Sequence, residues 1–344
     1  MFPGFAKGFD LRGARVCAAF DERPEYGGAK RKDALLPAIG EVFGGDGEEA
    51  EELNRKIFER QGRRMSQGMQ GTQMSPQETQ ATSNPPVLES RAGVVLTLTM
   101  NRPERLNPLG TELAAALVET LRHASDDSSV RAIILTGAGR GFCSGGDLAL
   151  LRDARNRNAA AELQGILRAG SEIVLTMGLM PKPVIAAVNG PAAGAGMNLA
   201  LACDIRIASE RASFAQSFAR MGLVPDFGGT WLLPRLVGPG RAAELFMTAD
   251  TLNAEEAHQM GIVDHVVPHD SLMQEAAAMA ARLAAAPPLV VRAVKQMLNG
   301  SHIEEIRSTL RGEEKFQEEC FRSEDCAEGL NAFFEKRAPN FRGK

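Results

Sequence analysis

A single carboxylate, Asp226, sits in a Pro-Asp-Phe-Gly-Gly turn downstream of a small-residue loop, Gly190 to Gly196. That loop follows an apolar strand-like run, Val184 to Val188, and leads into a helix-like run. Small residues at a strand-to-helix junction expose backbone N–H groups, and the helix N-terminus adds partial positive charge. Such a loop can hold a developing oxyanion, and one nearby acid can move a proton. A second glycine-rich loop, GRGFCSGGDL from Gly139 to Leu148, lies upstream, again after an apolar strand and before helical sequence. It lacks the Lys-Ser/Thr ending of a P-loop and the spacing of a dinucleotide fingerprint. Taken alone it fits a plain turn as well as a ligand cradle. Asp226 taken alone equally fits a solvated turn acid or a cap before Gly228. The two loops together can offer one N–H each to a single oxygen, as a thioester enolate would need.

The elements around these loops alternate. Gly93 to Met100 reads as a strand, Gly110 to His123 as an amphipathic helix and Arg131 to Thr136 as an apolar strand. Ala159 to Met180 reads as a helix, Pro181 to Val188 as a strand, and Asp204–Ala208 and Ala212–Gln216 as two more. Gly228 to Gly261 reads as helix with Gly and Pro punctuation, and Ile262 to Val267 as a last strand. From Ser271 to Arg337 successive helices are broken at Pro287-Pro288 and near Gly300. Alternating strands and helices predict an α/β core.

Residues 1–89 differ in character. A densely charged helical candidate, Glu48 to Arg64, precedes a polar Gln/Ser/Thr/Pro tract with linker composition. An N-terminal extension, partly disordered, a mis-assigned start with Met65 or Met74 as the natural one, and a small accessory element all fit. The chain is thus expected to divide into 1–89, a core over 90–270 and a helical region over 271–344.

Bulk composition narrows the function classes. A net charge of -4 gives no electrostatic case for nucleic acid or an anionic membrane. One Trp and one Tyr argue against a base-stacking surface. The five cysteines are odd in number and scattered, as expected of free thiols in the cytoplasm. The five histidines have no metal-ligand spacing, so no metal site is expected. No uninterrupted apolar run spans a bilayer, and the N-terminus has no signal-like core.

Seven motifs in order, MNRPERLNPL, GFCSGGDL, AAVNGPAAGAG, LACDIRIAS, GLVPDFGGTW, LPRLVG and the terminal AFFEKRAPNF, together resemble the crotonase (enoyl-CoA hydratase/isomerase) superfamily over about residues 90 to 344. The resemblance implies a spiral of ββα units with a C-terminal helical trimerisation region, assembled as a homotrimer or a dimer of trimers. It implies an acyl-CoA thioester substrate, with coenzyme A part of the substrate and no separate cofactor. It also implies that the N–H groups of Gly146 and Ala195 form the oxyanion hole. Arg105, Leu106, the segment Ser144, Gly145, Asp147 and Leu148, and the C-terminal Phe333 and Lys336 are expected to contact coenzyme A.

Typical hydratases of the superfamily carry two glutamates that activate water. Here those positions are Asn198 and Phe218, neither of which can serve as a general base. Asp226 stands where typical hydratases have Gly, a pattern that resembles the phenylacetate-pathway 2-(1,2-epoxy-1,2-dihydrophenyl)acetyl-CoA isomerase branch. The implied chemistry is isomerisation, with Asp226 as proton shuttle and Asn198, Phe218, Met221, Leu223 and Phe227 around the acyl chain. Desolvation by the apolar members of that set is expected to raise the Asp226 pKa. Alternatives are a hydratase-like enzyme and a hydrolase or dehalogenase using Asp226 as nucleophile. The dehalogenases pair that Asp with a Trp where this chain has Phe218. A non-catalytic acyl-CoA-binding scaffold and a nucleotide-phosphate enzyme fit the two loops less well.

Overall fold

The computed structural model describes residues 84–344. The helical candidate Glu48–Arg64 and the polar tract up to Ser83 lie outside the described residues. The described chain opens with an antiparallel hairpin, β1 (Val87–Ala92) and β2 (Val95–Met100). β1 escapes the sequence pattern because only Val87 of its six residues is buried. Next come α1 (Thr111–Asp126), β3 (Ala132–Gly137), α2 (Leu148–Asn156), α3 (Ala160–Leu179) and β4 (Val184–Val188). β3 and β4 are buried at every position, which is why they read as continuous apolar runs.

β5 (Ala192–Ala193), α4 (Ala195–Leu201), β6 (Ile205–Ser209) and β7 (Ser213–Ala215) follow. The expected helical run from Gly228 to Gly261 is corrected. It holds α5 (Gly229–Val237), α6 (Pro239–Thr248), a short strand β8 (Thr251–Asn253) and α7 (Ala254–Gln259). Three residues are too few to show a period, and the strand forms by antiparallel pairing with β7. β9 (His265–Val267) ends the strands. The helical tail is α8 (Leu272–Ala285), α9 (Pro288–Asn299), α10 (Ile303–Arg322) and α11 (Glu324–Glu335).

The main sheet has the order β1-β2-β3-β4-β6-β9, and every pairing after the first hairpin is parallel. β5, β7 and β8 form a second, small sheet. Alternate residues of the central strands face opposite layers. Ile133, Leu135, Val184 and Ala186 join a core with Leu113, Leu117 and Leu121 of α1 and Ile173 and Met177 of α3. Ala132, Ile134, Ile185 and Ala187 pack against Leu272, Ala276, Ala280 and Ala284 of α8. Alanine at every fourth position lets α8 lie close against that face.

The loop after β3 is tied down by two asparagines. Asn107, fully buried, donates from Nδ2 to the carbonyls of Ala138 (3.0 Å), Gly141 (2.9 Å) and Phe142 (3.1 Å), and its Oδ1 accepts the Arg102 N–H (2.8 Å). Asn189, just past β4, donates to Gly139 O at 2.9 Å and accepts the Gly137 N–H at 3.2 Å. Replacing Asn107 with Ala strands buried carbonyls. Urea denaturation should show a loss of about 1–3 kcal/mol.

Candidate active site

Because β3 and β4 run parallel, the loops after them emerge at one edge of the sheet. Isolated bridges lock these loops to their neighbours: Leu109 with Gly146, and Cys143 with Ala192. In the first, the Leu109 N–H donates to Gly145 O (2.7 Å) and the Asp147 N–H to Leu109 O (3.2 Å), so the Gly146 N–H between them faces away from the bridge. Gly145 has φ +94° and needs to be glycine twice over: a Cβ there would also stand 2.7 Å from Ala193 O. The same imagined atom would lie 3.7 Å from the Ala195 N, which measures how closely the two loops approach. Ala195 is the first residue of α4, so its N–H has no acceptor within the helix.

Both residues line a cavity of about 400 Å³, and Asp226 lines it too. The cavity wall is mainly apolar, with Leu151, Leu163, Leu167, Met221, Leu223 and Phe227 contributing. The buried Asp226 carboxyl accepts one hydrogen bond, on Oδ2 from Gln317 Nε2 at 3.1 Å, and its buried Oδ1 has no partner in the described protein. Burial pushes its pKa from an ordinary 3.8 up to about 8, and the negative charge of Glu313 adds to the rise. The Gln317 donor opposes the rise.

The turn that carries Asp226 is fixed from three sides. Asn198 Nδ2 (2.8 Å) and the Gly229 N–H (3.0 Å) donate to the Asp226 carbonyl. Glu313 accepts the N–H groups of Gly228 (2.8 Å) and Thr230 (2.9 Å). Phe227 adopts the left-handed region at φ +52°, and its ring packs where α3 has Gly170, since a Cβ there would fall 2.3 Å from the ring. A mid-helix glycine costs about 1 kcal/mol against Ala, and this one makes room for Phe227.

Most of the residues singled out in the sequence meet at this cavity. Arg105, Ser144, Gly145, Asp147, Leu148, Phe218, Met221, Leu223, Phe227 and Phe333 all line it. Asp147 is also the N-cap of α2 and holds Arg105 in an ion pair at 2.5 Å. Three do not line it. Asn198 is fully buried behind the wall, where its Oδ1 accepts from Gln216 Nε2 at 2.7 Å. Leu106 turns off the wall with φ 61°, and its carbonyl accepts the Ser144 N–H. Lys336 is the exposed C-cap of α11.

Sequence reasoning missed Gln317 and Glu313. The buried face of α10 is Ile306, Leu310, Glu313, Gln317 and Phe321, a helical seam with two polar residues among apolar ones. Polar side chains at core spacing were the available signal, since buried polar groups require partners. Among the described residues no cluster of His, Cys, Asp and Glu could hold a metal ion, and no single helix is long and apolar enough to cross a membrane.

An enoyl-CoA hydratase/isomerase family model matches residues 89–344. The chain belongs to the enoyl-CoA hydratase/isomerase family, within the crotonase superfamily. It is 43% identical over 251 residues to a 1,2-epoxyphenylacetyl-CoA isomerase of Escherichia coli, covering 73% of this chain and 95% of the relative. A probable enoyl-CoA hydratase of Rhodobacter capsulatus is 42% identical, covering 72% and 94%. An enoyl-CoA hydratase structure from Mycobacterium avium subsp. paratuberculosis superposes with a TM-score of 0.68 at 32% identity, covering 75% of this chain and 98% of the other. The fold is the α/β crotonase fold with a C-terminal helical region.

The raised pKa of Asp226 links stability to pH. Its folded value, about 8, lies above the ordinary 3.8, so the native state holds an extra proton between them. Its contribution is fully present below about pH 4 and is lost as pH rises through about 8. The stability of Asp226→Asn relative to wild type should therefore grow between pH 5 and pH 9 in urea denaturation.

Proposed function

We propose that this enzyme isomerises an acyl-CoA thioester, moving a double bond from the 3-enoyl to the 2-enoyl position. The observation that carries the reading is one buried carboxyl, Asp226, raised to about 8 and lining an apolar cavity together with Gly146 and Ala195. In this reading the N–H groups of Gly146 and Ala195 donate to the thioester carbonyl oxygen. Each such donor is worth about 2.7–4 kcal/mol to the transition state. Ionised Asp226 takes a proton from the acyl chain, and the electron pair left behind delocalises into the carbonyl as an enolate. The same carboxyl then returns the proton at another carbon, so no water is consumed. Apolar walls suit this scheme because water would compete for the enolate.

Several named relatives are hydratases, including a crotonyl-CoA hydratase of Syntrophomonas wolfei. Phe218 on the cavity wall and Asn198 buried behind it weigh against water activation. Likeness to the epoxyphenylacetyl-CoA isomerase supports a ring-epoxide thioester, opened and expanded to an oxepin, as the second candidate substrate. That would give the enzyme a place in phenylacetate catabolism as well as in fatty acid metabolism. The scheme needs no cofactor beyond the coenzyme A of the substrate. Arg105, Ser144 to Leu148 and Phe333 are the proposed contacts for it, with Lys336 approaching the nucleotide from a neighbouring subunit.

A homotrimer or dimer of trimers is part of the proposal. α9 exposes Leu289, Val290, Val294, Met297 and Leu298, an apolar face suited to a second copy of the chain. We place the enzyme in the cytoplasm, a setting compatible with the free thiols of Cys143, Cys203, Cys320 and Cys326.

Asp226→Asn should lower kcat for 3-enoyl-CoA isomerisation by roughly 10²–10⁴-fold while acyl-CoA binding is retained. Wild-type turnover in that variant would sink the catalytic role. A base must be ionised, so wild-type kcat/KM should climb with pH and level off above about 8. Product analysis with 2-enoyl, 3-enoyl and ring-epoxide CoA esters separates the candidate substrates.

A further inference from the structure

We propose that Gln317 and Glu313, one turn apart on α10, are positioning residues that set the proton affinity of Asp226 in opposite directions. The inference rests on Asp226 being the proton shuttle. Two polar side chains on a buried helix face are costly unless partnered, and the partners of both converge on the Asp226 turn.

Gln317 is 1% exposed, and its orientation is fixed by the chain. Its Oε1 accepts the Val224 N–H at 3.0 Å, which leaves Nε2 to donate to Asp226 Oδ2 at 3.1 Å. A donor on Oδ2 favours the carboxylate. It also occupies that oxygen, so the buried, unpartnered Oδ1 is the one left to take and return the proton.

Glu313 acts the other way. Its Oε2 accepts the Gly228 N–H at 2.8 Å, and its Oε1 accepts the N–H (2.9 Å) and hydroxyl (2.5 Å) of Thr230. Burial raises the Glu313 pKa above its ordinary value and these three donors oppose that rise; in its charged form Glu313 opposes ionisation of Asp226. The same bonds clamp Gly228 and Thr230, so one residue both shapes the turn and raises the acid that it carries.

Other charged groups near the site are committed elsewhere. Arg105 and Asp147 pair with each other, the Arg220 guanidinium donates to the Ala249 carbonyl, and Glu314 accepts the Ser171 hydroxyl at 2.6 Å. Among the described residues, Gln317 and Glu313 are thus the side chains left to tune Asp226.

The test is a carbon-13 NMR titration of the aspartate carboxyls in the full chain, with Asp226→Asn assigning the signal. It is run beside the pH profile of 3-enoyl-CoA isomerisation. Gln317→Leu should move the Asp226 midpoint up and lower kcat/KM at pH 7 about tenfold for each unit of movement. Glu313→Gln should move the midpoint down. If Gln317→Leu does not fold, Gln317→Met, with a side chain of similar length, gives the same readout. Folded variants whose midpoints stay put, or move in the same direction, overturn the inference. Retained turnover in Asp226→Asn sinks the shuttle reading instead, and the titration still judges the coupling by itself.

Discussion

Parallel pairing of β3 with β4 is the constraint on which the site depends. Strands that run the same way end at the same edge, and the loops that leave them become neighbours. The Gly139–Leu148 loop and the Gly190–Gly196 loop are brought together in this way and then locked by the Cys143–Ala192 bridge. Asn107 and Asn189 satisfy the carbonyls of the first loop, which has no regular ladder to do so. The layers on either side of the sheet, α1 and α3 on one face and α8 on the other, hold the two strands in register.

Burying a lone carboxyl in an apolar cavity is the second demand, and it works against stability. One donor from Gln317 does not offset the loss of water, so Asp226 rises to about 8. The cost is borne by the turn around it, where Asn198, Gly229 and Glu313 hold the backbone while the carboxyl is left nearly free. A fully satisfied carboxylate would be a poor base, because each added donor lowers its proton affinity. The network therefore spends its hydrogen bonds on the main chain and keeps Oδ1 open.

Local pattern made much of this legible. The apolar runs of β3 and β4, alternating with helices, announced an α/β core, and the Pro and Gly breaks announced α9 and the break before α10. The small-residue loops and the isolated acid also stood out, because two such loops, each after an apolar strand, can together supply two N–H donors beside one acid. β1, β5 and β8 were hidden, since a mostly exposed strand and strands of two or three residues carry no period of their own. The burial of Asn198 was not legible, because its position along α4 does not say which side of the cavity wall it occupies. Gln317 and Glu313 were overlooked because their partner lies some ninety residues away, 91 for the Gln317–Asp226 bond.

The sequence by itself determined the family, the two glycine-rich loops and the single acid, Asp226, downstream of an Asn and a Phe that cannot activate water. These are properties of residue type and spacing, which tertiary structure does not alter. Only the fold decided that the three backbone and side-chain groups share one cavity, that Asn198 braces the turn from behind it, and that α10 delivers a donor and a charge to Asp226. The physical reason is that proton affinity depends on burial and on charges brought close by packing. Both are set by residues distant in the chain.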